Sequence, residues 1–222
     1  MIEVSRFDEA VRGIVAALVF AALPLVAWAG LAVFPVQAAQ TAEATRDTLA
    51  AEGVAKEKQT VLGLYLTAAE AYQRWLADPA QVKILDVRTP EEYIYVGHAE
   101  MAVNIPLAFQ SYRWNSKKRV YEFRPNRDFL RTVMSWASPR DIVLVMCRSG
   151  GRSAIAVNKL AKAGFHNVYN IIDGMEGGLV QDTSSPHHGK HRLDGWKNSG
   201  NPWTYEIDPE RVRVPWESSV QQ

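Results

Sequence analysis

Hydrophobic runs alternate with amphipathic segments along the middle of the chain. Val82 to Val87 and Ile142 to Met146 are almost continuously apolar, which is typical of strands buried on both faces. Shorter apolar runs at 61–66, 102–105 and 168–172 predict three further strands. Strands that alternate with helices favour a parallel sheet, so the pattern predicts an α/β fold with a central parallel sheet flanked by helices on both faces.

The helix signals lie between these runs. Thr67 opens one helix with a capping-box pattern, and Thr89 opens a short one with a proline at its first position. Two more helices are predicted over 126–136 and 152–163 from their apolar spacing and from the glycine that follows the second. The whole pattern indicates one α/β domain at residues 61–180.

The amino terminus has a different composition. No charged residue occurs between Gly13 and Phe34, and a helix over this run would be about 33 Å long, enough to cross a bilayer. The segment Val36-Gln37-Ala38 places small residues where a signal peptidase would cut. Residues 1–38 are therefore predicted to be a signal peptide or an N-terminal membrane anchor. We expect a periplasmic protein that contacts the inner membrane, if at all, only through an uncleaved segment 13–34.

Three further stretches lie outside the strand–helix rhythm. Residues 39–60 are predicted to be a polar linker, and the tryptophan-rich residues 181–222 to be an extension packed on the domain. Residues 108–125 interleave aromatic and basic side chains, a pattern that can bind nucleic acid. Because the formal net charge of the chain is only +1, a surface hairpin is favoured and no nucleic-acid partner is expected.

Cys147 is the single cysteine of the 222-residue sequence, which excludes an internal disulfide. It follows a predicted buried strand and begins a short glycine-containing turn before a helix. Backbone N–H groups in such a turn, together with the positive end of the helix, form a cradle for anions. Arg148 and Arg152 add positive charge to this loop. These surroundings favour the thiolate form of a cysteine, so the sequence predicts a nucleophile rather than an inert buried thiol.

Several separate motifs resemble the rhodanese-like family of sulfurtransferases over about residues 61–178. They are Asp86-Val87-Arg88 with Glu91-Glu92-Tyr93, Gly97-His98, Ala102-Val103-Asn104-Ile105-Pro106, Cys147-Arg148-Ser149-Gly150-Gly151-Arg152-Ser153, Gly164-Phe165, Asn167-Val168 and Asp173-Gly174-Met175. The similarity is to exported single-domain members that carry an aromatic insertion. It implies the rhodanese fold and an enzyme that moves sulfane sulfur from thiosulfate or another donor to a thiol or a protein acceptor.

The resemblance also implies roles for individual residues. Cys147 would be the catalytic residue and would carry the sulfur as a persulfide. Backbone N–H groups of residues 148–152 would hold this persulfide, and the arginines of the loop would attract the anionic donor. The implied substrate-binding residues are Arg148, Ser149, Gly150, Gly151 and Arg152. The implied supporting residues are Asp86 and Arg88, as an ion pair, and His98.

The sequence also bears on three other functions: a sulfur carrier or sensor, a phosphatase or arsenate reductase, and the binding of a metal or cofactor. A non-enzymatic sulfur carrier or sensor would need the same persulfide, so the sequence does not separate it from an enzyme. A phosphatase or arsenate reductase on the same fold is less favoured, because the arginine stands five positions after Cys147, not six as in dual-specificity phosphatases. His187, His188 and His191 have no acidic or thiol partner at ligand spacing, and no nucleotide or flavin motif occurs, so no metal and no cofactor are expected.

Overall fold

The computed structural model of the chain describes residues 53–213. The predicted leader at 1–38, residues 39–52 of the predicted linker and the end of the chain from residue 214 lie outside the described residues. The strands are β1 (Tyr65–Leu66), β2 (Val82–Asp86), β3 (His98–Ala99), β4 (Val103–Asn104), β5 (Ala108–Asn115), β6 (Val120–Pro125), β7 (Ile142–Met146), β8 (Val168–Ile171), β9 (Gly178–Leu179), β10 (His191–Leu193) and β11 (Trp203–Thr204). The helices are α1 (Ala68–Ala77), α2 (Pro90–Val96), α3 (Phe129–Met134) and α4 (Gly151–Lys162), with 3₁₀ turns at Lys56–Lys58 and Pro209–Arg211.

Five strands form one parallel sheet in the order β1-β8-β7-β2-β4, which confirms the predicted fold class. The two longest of them pair along their full length, from Val82 opposite Ile142 to Asp86 opposite Met146. Strand β7 therefore lies in the centre of the sheet, and the residue that follows it emerges at the carboxyl edge. Ligands of open α/β sheets bind at this edge.

Each face of the sheet is covered by helices. On β7, Val143 and Val145 point to one core and Leu144 and Met146 to the other, as the period of two in a strand requires. Buried residues of α3 and α4 fill the first core, and buried residues of α1 fill the second. The continuous apolar run of β7 is thus explained by burial on both sides.

The packed part of the chain begins before the predicted boundary at residue 61. Val54 is buried, and the carbonyl oxygen of Lys58 accepts a 2.8 Å hydrogen bond from the side-chain amide of Asn170. The backbone N–H of Val61 donates to the Asn158 side chain of α4. The end of the predicted polar linker is therefore tied to β8, and the residue after it to α4, by hydrogen bonds that the composition of the linker does not predict.

The C-terminal extension covers the second core. Trp196 is fully buried, stands edge-on to Tyr72 of α1 and donates its indole N–H to the carbonyl of Pro202 at 2.8 Å. Strand β11 pairs antiparallel with β3, and Val212 forms a bridge with Asn104 at the end of β4. The described part of the extension is therefore an integral layer of the domain.

We expect the Trp196→Ala variant to unfold with about 3–5 kcal/mol less free energy than the wild type, because truncating a buried tryptophan leaves a large cavity. Urea denaturation followed by circular dichroism measures this loss. Trp114→Ala is the matched control, since Trp114 is half exposed and its truncation should change the free energy of unfolding by less than about 0.5 kcal/mol. Equal losses in the two variants would contradict the assignment of Trp196 to the core.

Residues 108–125 form the surface hairpin that the sequence predicts, from strands β5 and β6. Its first strand carries extra residues between Gln110 and Trp114, including Tyr112 with a φ of +55°. Within residues 53–213, no helix is long and apolar enough to span a membrane. The uncharged run at 13–34 lies outside that part of the chain.

Candidate active site

The Cys147 sulfur lies at the carboxyl edge of the sheet, directly after β7. The residue is only 2% exposed. Its Sγ atom accepts a hydrogen bond from the backbone N–H of Gly150 at 3.2 Å and lies 3.4 Å from the hydroxyl oxygen of Ser153. Both donors belong to the first residues of α4 or its cap, so the sulfur sits at the positive end of that helix.

Ser153 has a choice of acceptors. Its hydroxyl oxygen lies 3.0 Å from the carbonyl oxygen of Gly150 and 3.4 Å from Sγ of Cys147, and one hydroxyl carries one proton. A negative charge on the sulfur makes it the stronger acceptor, because hydrogen bonds to charged groups are the stronger ones. The residue can therefore turn its proton toward an anionic sulfur and away from a neutral one.

The loop requires glycine at position 150. Gly150 caps α4 with a φ of +100°, which L-residues with a side chain rarely adopt. A Cβ atom there would also collide with the backbone carbonyl of Ile172. The absence of a side chain is what lets the Gly150 N–H approach the sulfur while the loop packs against the end of β8.

A second turn braces the loop from the other side. The N–H of Met175 donates to the carbonyl of Cys147 at 2.8 Å, and the N–H of Glu176 donates to the carbonyl of Arg148 at 2.9 Å. Gly174 approaches Cys147 so closely that a Cβ would collide with its carbonyl oxygen. The carboxylate of Asp173 accepts 2.8 Å hydrogen bonds from the backbone N–H groups of Ala68 and Gly195, although burial raises its pKa above the usual value.

Arg152 is held by a carboxylate from another helix. Its two terminal nitrogens each donate to a different oxygen of Glu92, both at 2.6 Å. Burial tends to raise the pKa of Glu92, but the hydrogen bonds and charge of Arg152 outweigh it, so this pKa lies below its usual range. In the structure, the Arg152 side chain is paired with Glu92. The sequence predicts a different role for it, the attraction of the anionic sulfur donor.

The remaining loop residues differ in exposure. The side chain of Arg148 is 47% exposed and pairs with Glu176 at 3.2 Å. Ser149 is half-buried, and Gly151 begins α4 close to the 3₁₀ turn that contains Glu57. Of the two arginines in the loop, Arg148 is the one that faces solvent.

Asp86 and Arg88 form a fully buried ion pair at the end of β2, next to the strand that carries Cys147. The Arg88 guanidinium donates to both Asp86 oxygens and to the carbonyl of Gly97 at 2.8 Å. Burial lowers the pKa of Arg88, but the charge of Asp86 outweighs it, and the net shift is upward. The pair fixes the path of the chain from β2 to the turn before β3 and makes no contact with Sγ in the described part of the chain.

His98 is also buried. It stacks on Tyr93 with ring centroids 3.7 Å apart, and its Nδ1 lies 3.1 Å from the carbonyl oxygen of Tyr93. Burial lowers its pKa, which keeps the imidazole neutral at physiological pH. His98 therefore joins α2 to β3, and none of its hydrogen bonds or ring contacts among residues 53–213 is to the Cys147 loop.

Two residues of the site, Glu92 and Ser153, have no role predicted from the sequence. Glu92 is recognisable as the third helical residue of the capping box that Thr89 opens, but a partner 60 positions away leaves no local signal. Ser153 belongs to the cysteine motif and stands three positions after the cap of α4, where side chains turn back toward the cap. That helical position was a usable signal for Ser153.

No group of three or more metal-ligating side chains occurs within residues 53–213. His191, one of the three histidines in the extension, has its Nδ1 2.6 Å from the carbonyl oxygen of Gly177. A groove of about 910 Å³ lies beneath α1 near the amino ends of β2 and β7, and none of its lining residues belongs to the Cys147 loop.

A parallel sheet that delivers one thiol to the amino end of a helix, inside a glycine-containing loop, defines a class of α/β proteins with a cysteine-based anion site. The family model described as a rhodanese-like domain matches residues 67–179, half of the chain. The chain belongs to the rhodanese-like family.

Individual relatives agree with this assignment. The chain is 41% identical over 92 residues to thiosulfate sulfurtransferase 16, chloroplastic, of Arabidopsis thaliana, a match that covers 41% of this chain and 69% of the plant protein. It is 39% identical over 92 residues to thiosulfate sulfurtransferase 18 of the same plant, covering 40% and 61% of the two chains. Among solved structures, Rv0390 from M. tuberculosis is similar with a TM-score of 0.50 at 26% identity, covering 64% of this chain and 96% of that one.

Proposed function

We propose that this protein is a sulfurtransferase that moves sulfane sulfur from a donor such as thiosulfate to a thiophilic acceptor through a persulfide on Cys147. The single observation that carries the proposal is the sulfur itself, which accepts a 3.2 Å hydrogen bond from Gly150 at the amino end of α4. Such a position stabilises negative charge on sulfur, both in the thiolate and in a persulfide. Membership in a family whose relatives include named thiosulfate sulfurtransferases supports the same chemistry.

In the first step, the Cys147 thiolate attacks the outer sulfur of thiosulfate. A new S–S bond forms to Sγ, the S–S bond of thiosulfate breaks, and sulfite leaves with the bonding electron pair. No external oxidant or reductant is needed, and the negative charge passes to the terminal sulfur of the persulfide. Arg148, which is exposed at the loop, is the positive side chain available to the incoming dianion.

In the second step, the thiolate of an acceptor, or cyanide, attacks the terminal sulfur. The bond between this sulfur and Sγ breaks, and Cys147 leaves as the thiolate that began the cycle. Since Cys147 is 2% exposed, the terminal sulfur of the persulfide is the atom that an acceptor reaches. A buried Sγ also protects the resting thiolate from bulky oxidants.

Two other activities use the same fold. A non-enzymatic sulfur carrier or sensor would form the same persulfide without rapid turnover. A phosphatase needs an arginine that encloses a tetrahedral anion, and the bidentate pairing of Arg152 with Glu92 removes that side chain from the loop's interior.

We propose in addition that the protein is periplasmic, on the basis of the uncharged run at 13–34.

Intact-mass spectrometry tests the persulfide directly. After treatment with thiosulfate, we expect the wild type to gain the mass of one sulfur atom and to lose it on treatment with a reductant. Cys147→Ser should gain nothing. Steady-state formation of thiocyanate from thiosulfate and cyanide then separates an enzyme, with many turnovers per molecule, from a carrier with one. An unmodified cysteine after thiosulfate treatment overturns the proposal.

A further inference from the structure

One face of the hairpin β5–β6 carries a row of exposed aromatic side chains. Tyr121 and Phe123 are two residues apart on β6 and so point to the same face. Trp114 lies directly opposite Tyr121 and contacts it edge-to-face, with ring centroids 5.2 Å apart. These three side chains, here called the aromatic row, are 54%, 47% and 52% exposed. Large apolar groups exposed together in this way mark interaction sites.

The aromatic row begins at the active-site loop. The guanidinium of Arg152 lies over the ring of Phe123, 5.3 Å from its centroid. The base of the hairpin is anchored at the same sheet edge as the sulfur, because the N–H of Leu107 donates to the carbonyl of Val87, and the N–H of Val87 donates to the carbonyl of Met146. The row therefore runs outward from the first turn of α4, and a molecule bound along it reaches the mouth of the cysteine loop.

The hairpin is also strongly basic. Five basic side chains lie within residues 108–125, and one acidic residue, Glu122, is paired with Arg113. Its net charge is thus +4 in a chain whose total is +1. Lys117, Lys118 and Arg119 are exposed at the tip, so an acidic surface is the complementary one.

We propose that the hairpin is the docking surface for an acidic protein that presents a cysteine thiol to the Cys147 persulfide. The basic tip attracts the acidic partner, and the aromatic row holds it beside the loop. The acceptor thiolate then attacks the terminal sulfur, the bond to Sγ breaks, and the partner leaves as a persulfide. This inference rests on the proposed function and adds the kind of acceptor.

The probe is a synthetic peptide with one cysteine flanked by glutamates, compared with a matched peptide that has glutamines in their place. Each is mixed with the isolated Cys147 persulfide of the wild type, and the rate of sulfur transfer is followed by intact mass. At low salt we expect the acidic peptide to react about tenfold faster, because charge complementarity raises encounter rates by this order or more. High salt should remove the advantage.

Charge-reversal variants locate the effect. Lys117→Glu/Lys118→Glu should abolish the preference for the acidic peptide, and Trp114→Ala/Tyr121→Ala should slow both peptides. The matched control is Lys159→Glu/Lys162→Glu, which makes the same charge change in the last turn of α4. Turnover of thiosulfate with cyanide should stay within about twofold in the hairpin variants, because these residues make no contact with the loop.

Each outcome has one meaning for the proposal. Equal rates for the two peptides, or loss of the preference in the α4 control, overturns the docking surface while leaving the persulfide intact. A protein that forms no persulfide refutes the proposed function instead; docking is then read from fluorescence anisotropy of a labelled acidic peptide on Cys147→Ser. Tighter binding of a labelled single-stranded polythymidine than of the acidic peptide also overturns the proposal, since it assigns the row to nucleic acid.

Discussion

The Cys147→Ser variant should lose steady-state sulfur transfer by about 10³-fold or more, because removing a nucleophile deletes the covalent step and leaves only binding. Serine has the same shape with a smaller heteroatom, and the residue is buried among β7 neighbours, so the fold should be retained. Thiocyanate formation from thiosulfate and cyanide measures the loss, and circular dichroism verifies the fold. A folded variant that keeps a tenth of the turnover would show that the sulfur passes through another group.

Ser153→Ala provides the graded comparison for this experiment. It removes one of the two donors near Sγ and leaves the Gly150 N–H in place. A hydrogen bond to a charged group is worth about 1.5–3 kcal/mol, so transfer should fall by about 10- to 150-fold. An unchanged rate would mean that the hydroxyl stays on the Gly150 carbonyl throughout the reaction.

The loop of Cys147 was predictable because its signals are local. The apolar run Ile142–Met146 has the bounds of β7 as observed, and the glycine after it caps α4. Other element bounds were less accurate where side chains compete with the regular backbone. The helix predicted over 126–136 spans only Phe129–Met134. It starts late because the Asn126 side chain donates to the carbonyl of Pro106 and accepts from the N–H of Asp128. The strand predicted over 61–66 is limited to Tyr65–Leu66.

The partners of the loop were not predictable, because they come from distant parts of the chain. From the sequence alone, Arg148 and Arg152 have the same predicted role, since both are cations near one nucleophile. In the structure, Arg152 is hydrogen-bonded to Glu92, 60 positions away in the chain, whereas the side chain of Arg148 is 47% exposed. Only the contact between Glu92 in the first turn of α2 and Arg152 in the first turn of α4 distinguishes them, and no periodicity in the sequence indicates that contact.

Because Arg152 is paired with Glu92 while Arg148 is exposed, substitution of the two arginines should affect different kinetic parameters. Arg152→Gln and Glu92→Gln should each lower kcat by about 10–10²-fold with little change in KM for thiosulfate. The reason is that the pair fixes the first turn of α4, and a misplacement of about 1 Å at a reacting group costs this much. Arg148→Gln should instead raise KM severalfold at unchanged kcat, and the effect should fade at high salt.

A double-mutant cycle tests whether Glu92 and Arg152 act as one unit. If they do, Glu92→Gln/Arg152→Gln should be no worse than either single variant, with a coupling energy of about 0.5–3 kcal/mol in unfolding experiments. Additive losses would show that the two side chains act separately. A rise in KM alone for Arg152→Gln would return this residue to the role of a donor-binding group.

The free energy of unfolding at acid pH provides an independent test of the Glu92–Arg152 pair. The pKa of Glu92 is lowered from 4.5 in the folded protein, because the bonds and charge of Arg152 outweigh the burial that raises it. Because its pKa is lowered, the ionised Glu92 carboxylate contributes its full stabilisation of the folded state at neutral pH. This contribution declines below pH 4.5 and is lost as the pH falls through the lower folded-state value. The difference in unfolding free energy between the wild type and Glu92→Gln should therefore be constant near neutrality and narrow below pH 4.5. A difference that stays constant throughout the acid range would mean that the pair contributes no charge-dependent stability, and that its effect on kcat has another cause.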